Sequence, residues 1–509
     1  MKTVGMETWV KGVLILLFVL GMYLQHNLGY ADNGDYTRSM GGFTSGPIGT
    51  ERNWPPSGTE AWNKRFFMYW IPYWQLDWKF SRPITSVFLL WLPGVALNYF
   101  LYSKTVLYMP LVSLFSKLIL FGMLLLLFKW VETQTNHKVL VLLSLGIPVV
   151  SLLTTTDYLA YLNSFYQESG GVVFLFLVLS SLVYLKKSPT YISLLCSIAC
   201  ILLLATTKAA YCYWPLLAIP FVVAVWCKEK GIEWYKGLGG CVLLILILTF
   251  TSICATHTKV YKSQAYFGLF YGVLTFSDDP SRHLHRLGLD DAAGEAGIEP
   301  FTPEWYEFTN KYQDKMSYLN TAGVIYHEPV VLPRAIKYVL DNMQDASLEY
   351  LGKYSLDDPR GAERLKIISM PEAERDDMMR KSQETRVWYD AGETKTLNLW
   401  AALKYKFFPT GYALAIAMGL YACWFIFGLR QSGLIRDLSM IGLLSTIACG
   451  VDMLVAILGA GKYELIKHLF LSNVLFDVAS IAFVNSVLLF CLKCLPQNTK
   501  TSMVIQPSP

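Results

Sequence analysis

Long apolar runs separated by short, mostly basic connections dominate the chain. A helix needs roughly 20 apolar residues to cross the hydrocarbon core of a bilayer. Runs near that length fall at residues 10–28, 106–129, 139–156, 170–185, 190–206, 211–227, 237–256, 405–428, 434–459 and 470–492. The pattern therefore predicts about ten transmembrane helices. A further apolar stretch, 84–102, is interrupted by Pro93-Gly94 and lies close to the next run, which reads as an interfacial or re-entrant segment.

Charge then chooses the sides. Lys129 with Lys138, Lys186-Lys187, Lys228 with Lys230 and Lys236, Arg430 with Arg436, and Lys493 with Lys500 fall on alternate connections. By the positive-inside rule those ends are cytoplasmic. The expected organisation is a first transmembrane helix in 1–28, a first external loop with interfacial helices over 29–105, and transmembrane helices two to seven over 106–256. A large external helical segment follows at 257–404, then helices eight to ten at 405–493 and a cytoplasmic tail at 494–509. Lys2 and Lys11 before a run ending in "LGYA" also suit a cleavable signal. The run from Val10 to Leu28 is nearly of span length, so a retained helix is the expectation.

Composition agrees with this reading. With 54 % apolar, 15 % aromatic and only 16 % charged residues, the chain lies outside the soluble range, and the fold class expected is an all-α polytopic membrane protein. The net charge of +5 does not point to nucleic acid, because the basic clusters flank apolar runs and form no stripe. The ten cysteines lie in or beside apolar segments, so no disulfide framework is implied. "CLKC" at 491–494 lacks the second pair or histidine that a zinc site needs.

Candidate chemistry gathers on the external side. "GYADNGDYTRSMGG", residues 29–42, sets Asp32 and Asp35 just beyond the first run, with Arg38 behind them. A carboxylate at a bilayer face could deprotonate an acceptor hydroxyl or hold a divalent cation against a phosphate. "DNGD" is equally the start of an ordinary polar turn. The connection after the third run, "TTTDYLAYLNSFYQESGG" at 154–171, packs Asp157, Tyr158, Tyr161, Asn163, Tyr166, Gln167 and Glu168 into a short loop. Stacking rings with amide and carboxylate groups suit a sugar, although tyrosines also form interfacial belts. Lys208 and the group Lys462, Glu464, Lys467 and His468 supply external cations suited to a lipid phosphate, or to headgroups. Asp452 and Asp477 lie about two turns inside the last two spans, where ionisable groups face a bundle interior; they rank below the loop residues. In the large external segment His283 and His285 form a poor metal site, and the amphipathic stretch 332–343 suggests a cap partly anchored on the membrane.

"NGDYTRSM", "YLAYLNSFYQESGG", "GVLTFSDDPSRHLHRLGL" and "KYELIKHLFLSNVLFD", in this order and membrane context, resemble the bacterial glycan-biosynthesis hexose transferase family, which looks like part of the GT-C class of membrane glycosyltransferases. The resemblance implies a GT-C-like bundle acting on the outer face of the bacterial cytoplasmic membrane. It further implies a polyprenyl-phosphate sugar donor, a glycan acceptor and a role in cell-surface polysaccharide biosynthesis. Carried onto this sequence, it makes Asp35 the catalytic acid, with Asp32 second, and matches Glu168 to the acidic position after the third span. Lys208, Lys467 and His468 match basic groups against the donor phosphate. The chain departs from the pattern at "YQES", where Gln167 replaces an expected glycine, and it has no D-x-D in the first loop. The rival readings are a lipid-linked glycan flippase, which needs polar groups through both leaflets, and an outer-face glycan polymerase.

Overall fold

The computed structural model describes residues 5–25, 44–47, 69–70, 73–77, 85–231, 240, 243–249, 265–290, 303–312, 315–343, 389–390, 399–462 and 465–495. Among them, seven helical stretches are long and apolar enough to cross a membrane. They are α1 (Met6–Leu24), α3 (Met109–Gln134), α6 (Glu168–Lys187), the stretch Ala209–Lys230 that contains α8 (Trp214–Lys230), α14 (Gly411–Gly428), α15 (Gly433–Ala460) and α17 (Phe470–Cys494). Two further expected runs form shorter apolar helices, α4 (Lys138–Leu153) and α7 (Tyr191–Ala205). The run at 237–256 is helical at 243–249 and otherwise lies largely outside the described residues. The chain is an all-α polytopic membrane protein in its bundle, as the apolar pattern requires.

Helix ends follow local chemistry. Thr190 and Ser193 form a reciprocal capping box at the start of α7. Thr410 caps α14 by accepting from the Ala413 N–H. Glu168 in the first turn of α6 and Lys186-Lys187 in its last suit the helix dipole. Segment 84–102 departs from expectation, because Pro93-Gly94 does not break it: α2 (Phe88–Leu101) runs through both. A Cβ at Gly94 would stand 2.5 Å from the Leu111 and Val112 carbonyls, so this glycine is where α2 crosses α3. At 14 residues α2 is about 21 Å long, short of a span.

The bundle has two unlike ends. At the first, Lys11 pairs with Glu7 (2.6 Å) and Glu132, Glu7 lies 3.8 Å from Lys138, Lys186 pairs with Asp437, and Lys493 meets Gln431. This basic end joins α1, α3, α4, α6, α15 and α17. The opposite, far end joins the other terminus of each. Between them α15 and α17 make the most extensive helix pair, burying Ser445, Ala448 and Ala456 against Ser472, Ala479 and Ala482. Small residues allow that approach where lipid offers no hydrophobic drive.

The first external segment was expected to carry interfacial helices, and its described residues also contain strands. β1 (Thr44–Pro47), β3 (Tyr73–Leu76) and β4 (Val106–Tyr108) form an antiparallel sheet in the order β1-β3-β4, with Pro47 opposite Trp74 and Trp74 opposite Leu107. β2 (Tyr69–Trp70) pairs with β5 (Tyr389–Asp390), tying this segment to the large one. In the large segment, a π-helical stretch Phe267–Val273 leads to α9 (Pro280–Arg286), α10 (Pro303–Lys311), α11 (Tyr318–His327) and α12 (Val331–Asn342). Gly268 lets the π-helical stretch touch α15, since a Cβ there would collide with the Leu458 carbonyl. The apolar face of α12, Val331, Ala335 and Val339, is buried against α14, α15 and residues 274–276. It is therefore occupied by protein and not by the membrane surface.

Candidate functional site

The connection 154–171 is no open loop. Thr155 leads into α5 (Thr156–Leu162), a turn follows, and α6 begins at Glu168, with Tyr158, Tyr161, Asn163, Tyr166 and Glu168 all buried. Gln167 precedes α6 at φ −66°, ψ −22°, ordinary right-handed backbone. The glycine expected there is not needed for this shape.

Gln25, the residue that ends α1, is bolted to this connection. Gln25 donates to the Thr154 carbonyl (2.6 Å), accepts from the Thr156 hydroxyl (2.7 Å), and its carbonyl accepts from the Asn163 amide at 3.4 Å. On the other side Phe165 takes an edge-on contact from Trp74 of β3 (centroids 5.2 Å) and from Trp91 of α2 (5.1 Å). Both described flanks of the first external segment thus converge on 154–171.

Beside it, the far end buries an unusual density of charge. Glu168 Oε1 pairs with Lys208 Nζ at 2.7 Å, both side chains almost wholly buried. The sequence offered these two as separate groups; the fold makes them one unit. Asp452 of α15 accepts from the Tyr213 hydroxyl (2.9 Å) and the Ser472 hydroxyl (2.7 Å). One residue on, Asn473 Oδ1 accepts from Lys404 Nζ at 2.9 Å, and Lys404 also lies 2.9 Å from Asp477 Oδ1. Asp477 Oδ2 accepts from the Tyr158 hydroxyl of α5. The first two turns of α17 therefore join two polar nests, Glu168–Lys208 with Asp452 nearby, and Lys404–Asp477–Tyr158.

Lys404 sits on α13 (Leu399–Phe407), which precedes the helix break at Phe408-Pro409. Lys467 and His468 lie on the short α16 (Leu465–His468); Lys467 is buried with its ammonium 5.6 Å from the centre of the Tyr166 ring, and His468 is half-buried. Tyr158, Phe470, Tyr161 and Tyr166 form a contiguous aromatic wall, with successive centroids 5.5, 4.4 and 5.7 Å apart. The wall meets the charged groups at two points, Tyr158 at Asp477 and Tyr166 at Lys467.

Asp32, Asp35 and Arg38 lie outside the described residues, as does the side chain of Asp157 on α5. Among the described residues no three His, Cys, Asp or Glu side chains come together as metal ligands. Sequence reading passed over Gln25, Lys404, Tyr213, Ser472 and Asn473. Asp452 and Asp477 were signalled as acids inside apolar runs, and the structure places both in this hydrogen-bonded network.

Chemically, ionised groups taken out of water are costly unless each is paired and hydrogen-bonded. Three acids and three lysines set together at one end of the bundle therefore mark the candidate site. No curated protein and no solved structure gives a significant match to this chain. The model of the YfdI N-terminal transmembrane domain matches residues 5–370 and 377–503, nearly the whole sequence, and the chain belongs to that family.

Proposed function

We propose that the protein is a GT-C type membrane glycosyltransferase that moves a hexose from a polyprenyl-phosphate donor to an acceptor glycan. The observation that carries this reading is the far-end network of buried acids, lysines and tyrosines, with both described flanks of the first external segment fastened to it. Asp35 follows Gln25 by ten residues in the sequence. Its tether begins at the Gln25 bolt, which supports its assignment as the catalytic acid.

In this reading Asp35 accepts the proton of the acceptor hydroxyl as that oxygen forms its bond to the anomeric carbon. The bond from that carbon to the phosphate oxygen breaks, and its electron pair leaves with the lipid phosphate. Lys208, oriented by Glu168, and Lys467 with His468 balance the growing negative charge. Asn163, Tyr161 and Tyr166 form the wall against which the sugar is held. A flippase would need polar groups through both leaflets. The described multi-residue nests around Glu168–Lys208 and Lys404–Asp477 lie at one end, with a single buried pair, Lys186–Asp437, at the other, which favours transfer.

The test uses purified protein in liposomes with a panel of polyprenyl-phosphate hexoses, an acceptor glycan, and free polyprenyl phosphate as the readout, with and without a chelator. Release that Asp35→Asn abolishes without loss of folding supports the reading. Undiminished release in that variant removes Asp35 as the base, and no release from any donor overturns the transferase reading. Loss on chelation would add a divalent cation to the acid's role.

A further inference from the structure

The four described helices of the external cap differ in what they show to the outside. The exposed faces of α9, α10 and α12 carry charge: Arg282 and Arg286, Glu304 and Glu307, Lys337 and Asp341. The exposed positions of α11 carry no acid, lysine or arginine, and one histidine, His327, at its last residue. Leu319, Ala322 and Tyr326 recur there at helical spacing, and Pro329 and Val330 continue the stripe beyond the C-terminus. Leu319 is 83 % exposed and Tyr326 81 %, while Thr321 and Val324 on the opposite face are buried against the π-helical stretch.

The position of α11 identifies what this stripe meets. Going up α15, Ile447 and Leu454 are exposed on the surface of the membrane bundle. Just above them Gly268 of the π-helical stretch covers Leu458. The hydroxyl of Tyr318, the first residue of α11, then lies 4.0 Å from where a Cβ on Gly459 would stand. α11 is thus mounted at the level where the span α15 ends. A helix at that height with tyrosines at positions 318 and 326, a stripe of Leu319, Ala322 and Tyr326, and a single terminal histidine has the composition of one lying in the membrane interface.

We infer that α11 rests on the bilayer, with Leu319, Ala322, Tyr326 and Val330 in the headgroup and acyl boundary of the leaflet at the far end. The stripe is open and apolar at that level, whereas α12, the more amphipathic helix by sequence, spends its apolar face on protein. This inference concerns the cap's seating and stands whether or not the protein transfers sugar.

The test places the full chain, one copy per nanodisc, in phosphatidylethanolamine and phosphatidylglycerol. Tyr326→Cys, Leu319→Cys and the control Lys337→Cys are alkylated with a charged, membrane-impermeant maleimide, and each cysteine is read by peptide mass spectrometry. The stripe positions should label at least about tenfold more slowly than position 337, and a bimane attached there should be quenched by lipid bearing a nitroxide near the headgroup. Labelling as fast as at position 337 overturns the inference. Slow labelling without quenching overturns it too, because the stripe is then covered by protein. Two positions guard against one variant failing to fold.

Discussion

The two ends of the bundle handle charge in opposite ways. At the basic end, Lys11, Glu7, Glu132 and Lys138 form pairs whose side chains keep 19–39 % of their surface exposed, and only Lys186–Asp437, at 17 % and 6 %, is more deeply set among the described pairs there. Such pairs contribute little to stability and serve chiefly to mark a side of the membrane. At the far end, Glu168–Lys208 and Lys404–Asp477 keep 12 % or less of any partner exposed. Taking those groups from water costs several kcal/mol each before pairing returns it. Apolar residues of similar volume would avoid that cost. The far-end charges are therefore the ones to test for a use beyond folding, as proposed above.

This contrast can be broken by substitution. Lys404→Met leaves Asp477 buried without its cation and should cost about 3–5 kcal/mol in detergent unfolding. Lys404→Met with Asp477→Asn should recover most of that loss. If the single variant were as stable as wild type, the far-end pair would belong with the surface pairs.

The cap clamp offers an intermediate case. Glu328 accepts from the Ser277 hydroxyl (2.5 Å), the Asp278 N–H (2.8 Å) and His283 (2.9 Å), while Arg334 grips Asp278 (2.7 and 3.1 Å). Partial burial pushes the Glu328 carboxyl up, but the hydrogen bonds from Ser277, Asp278 and His283 outweigh it and hold the carboxyl down at about 2. Its folded value lies below the ordinary carboxylate value of about 4.3. The contribution is therefore present in full above that value and lost as pH falls through about 2. Hydrogen exchange at 277–290, corrected for intrinsic rate, should stay protected at pH 5 and rise as pH falls below about 4. Unchanged protection down to pH 2 would show that the clamp does not hold this segment.

The smallest effect is expected at the basic end. Lys11→Met should change stability by less than about 1 kcal/mol, and added salt should shrink the difference further. A loss comparable to that of Lys404→Met would erase the distinction between the ends.

The spans and their alternation were legible because lipid demands long apolar runs and leaves little else to weigh. Lys404 was hidden because it sits one residue ahead of an apparent span, and its partners Asn473 and Asp477 lie 69 and 73 residues away. Glu168 and Lys208 were legible as residue types, but 40 residues separate them and only the crossing of α6 and α7 makes them a pair. The strands were missed because two to four residues of Tyr, Trp and Gln among turn-formers give no alternation to read. Asp452 and Asp477 were visible as acids in apolar runs, but their hydrogen-bond donors Tyr213, Ser472 and Tyr158 carry no charge to announce them, and the cation beside Asp477, Lys404, lies 73 residues away.

The central claim is that the far-end charges serve a reaction and not the fold. The most direct measurement replaces Glu168 and Lys208 together, as Glu168→Gln with Lys208→Met, and records both unfolding and polyprenyl-phosphate release from the donor panel. The account predicts a protein at least as stable as wild type, because the neutral pair removes the desolvation cost, with release reduced about 100-fold or more. A folded double variant that releases polyprenyl phosphate at the wild-type rate would contradict it.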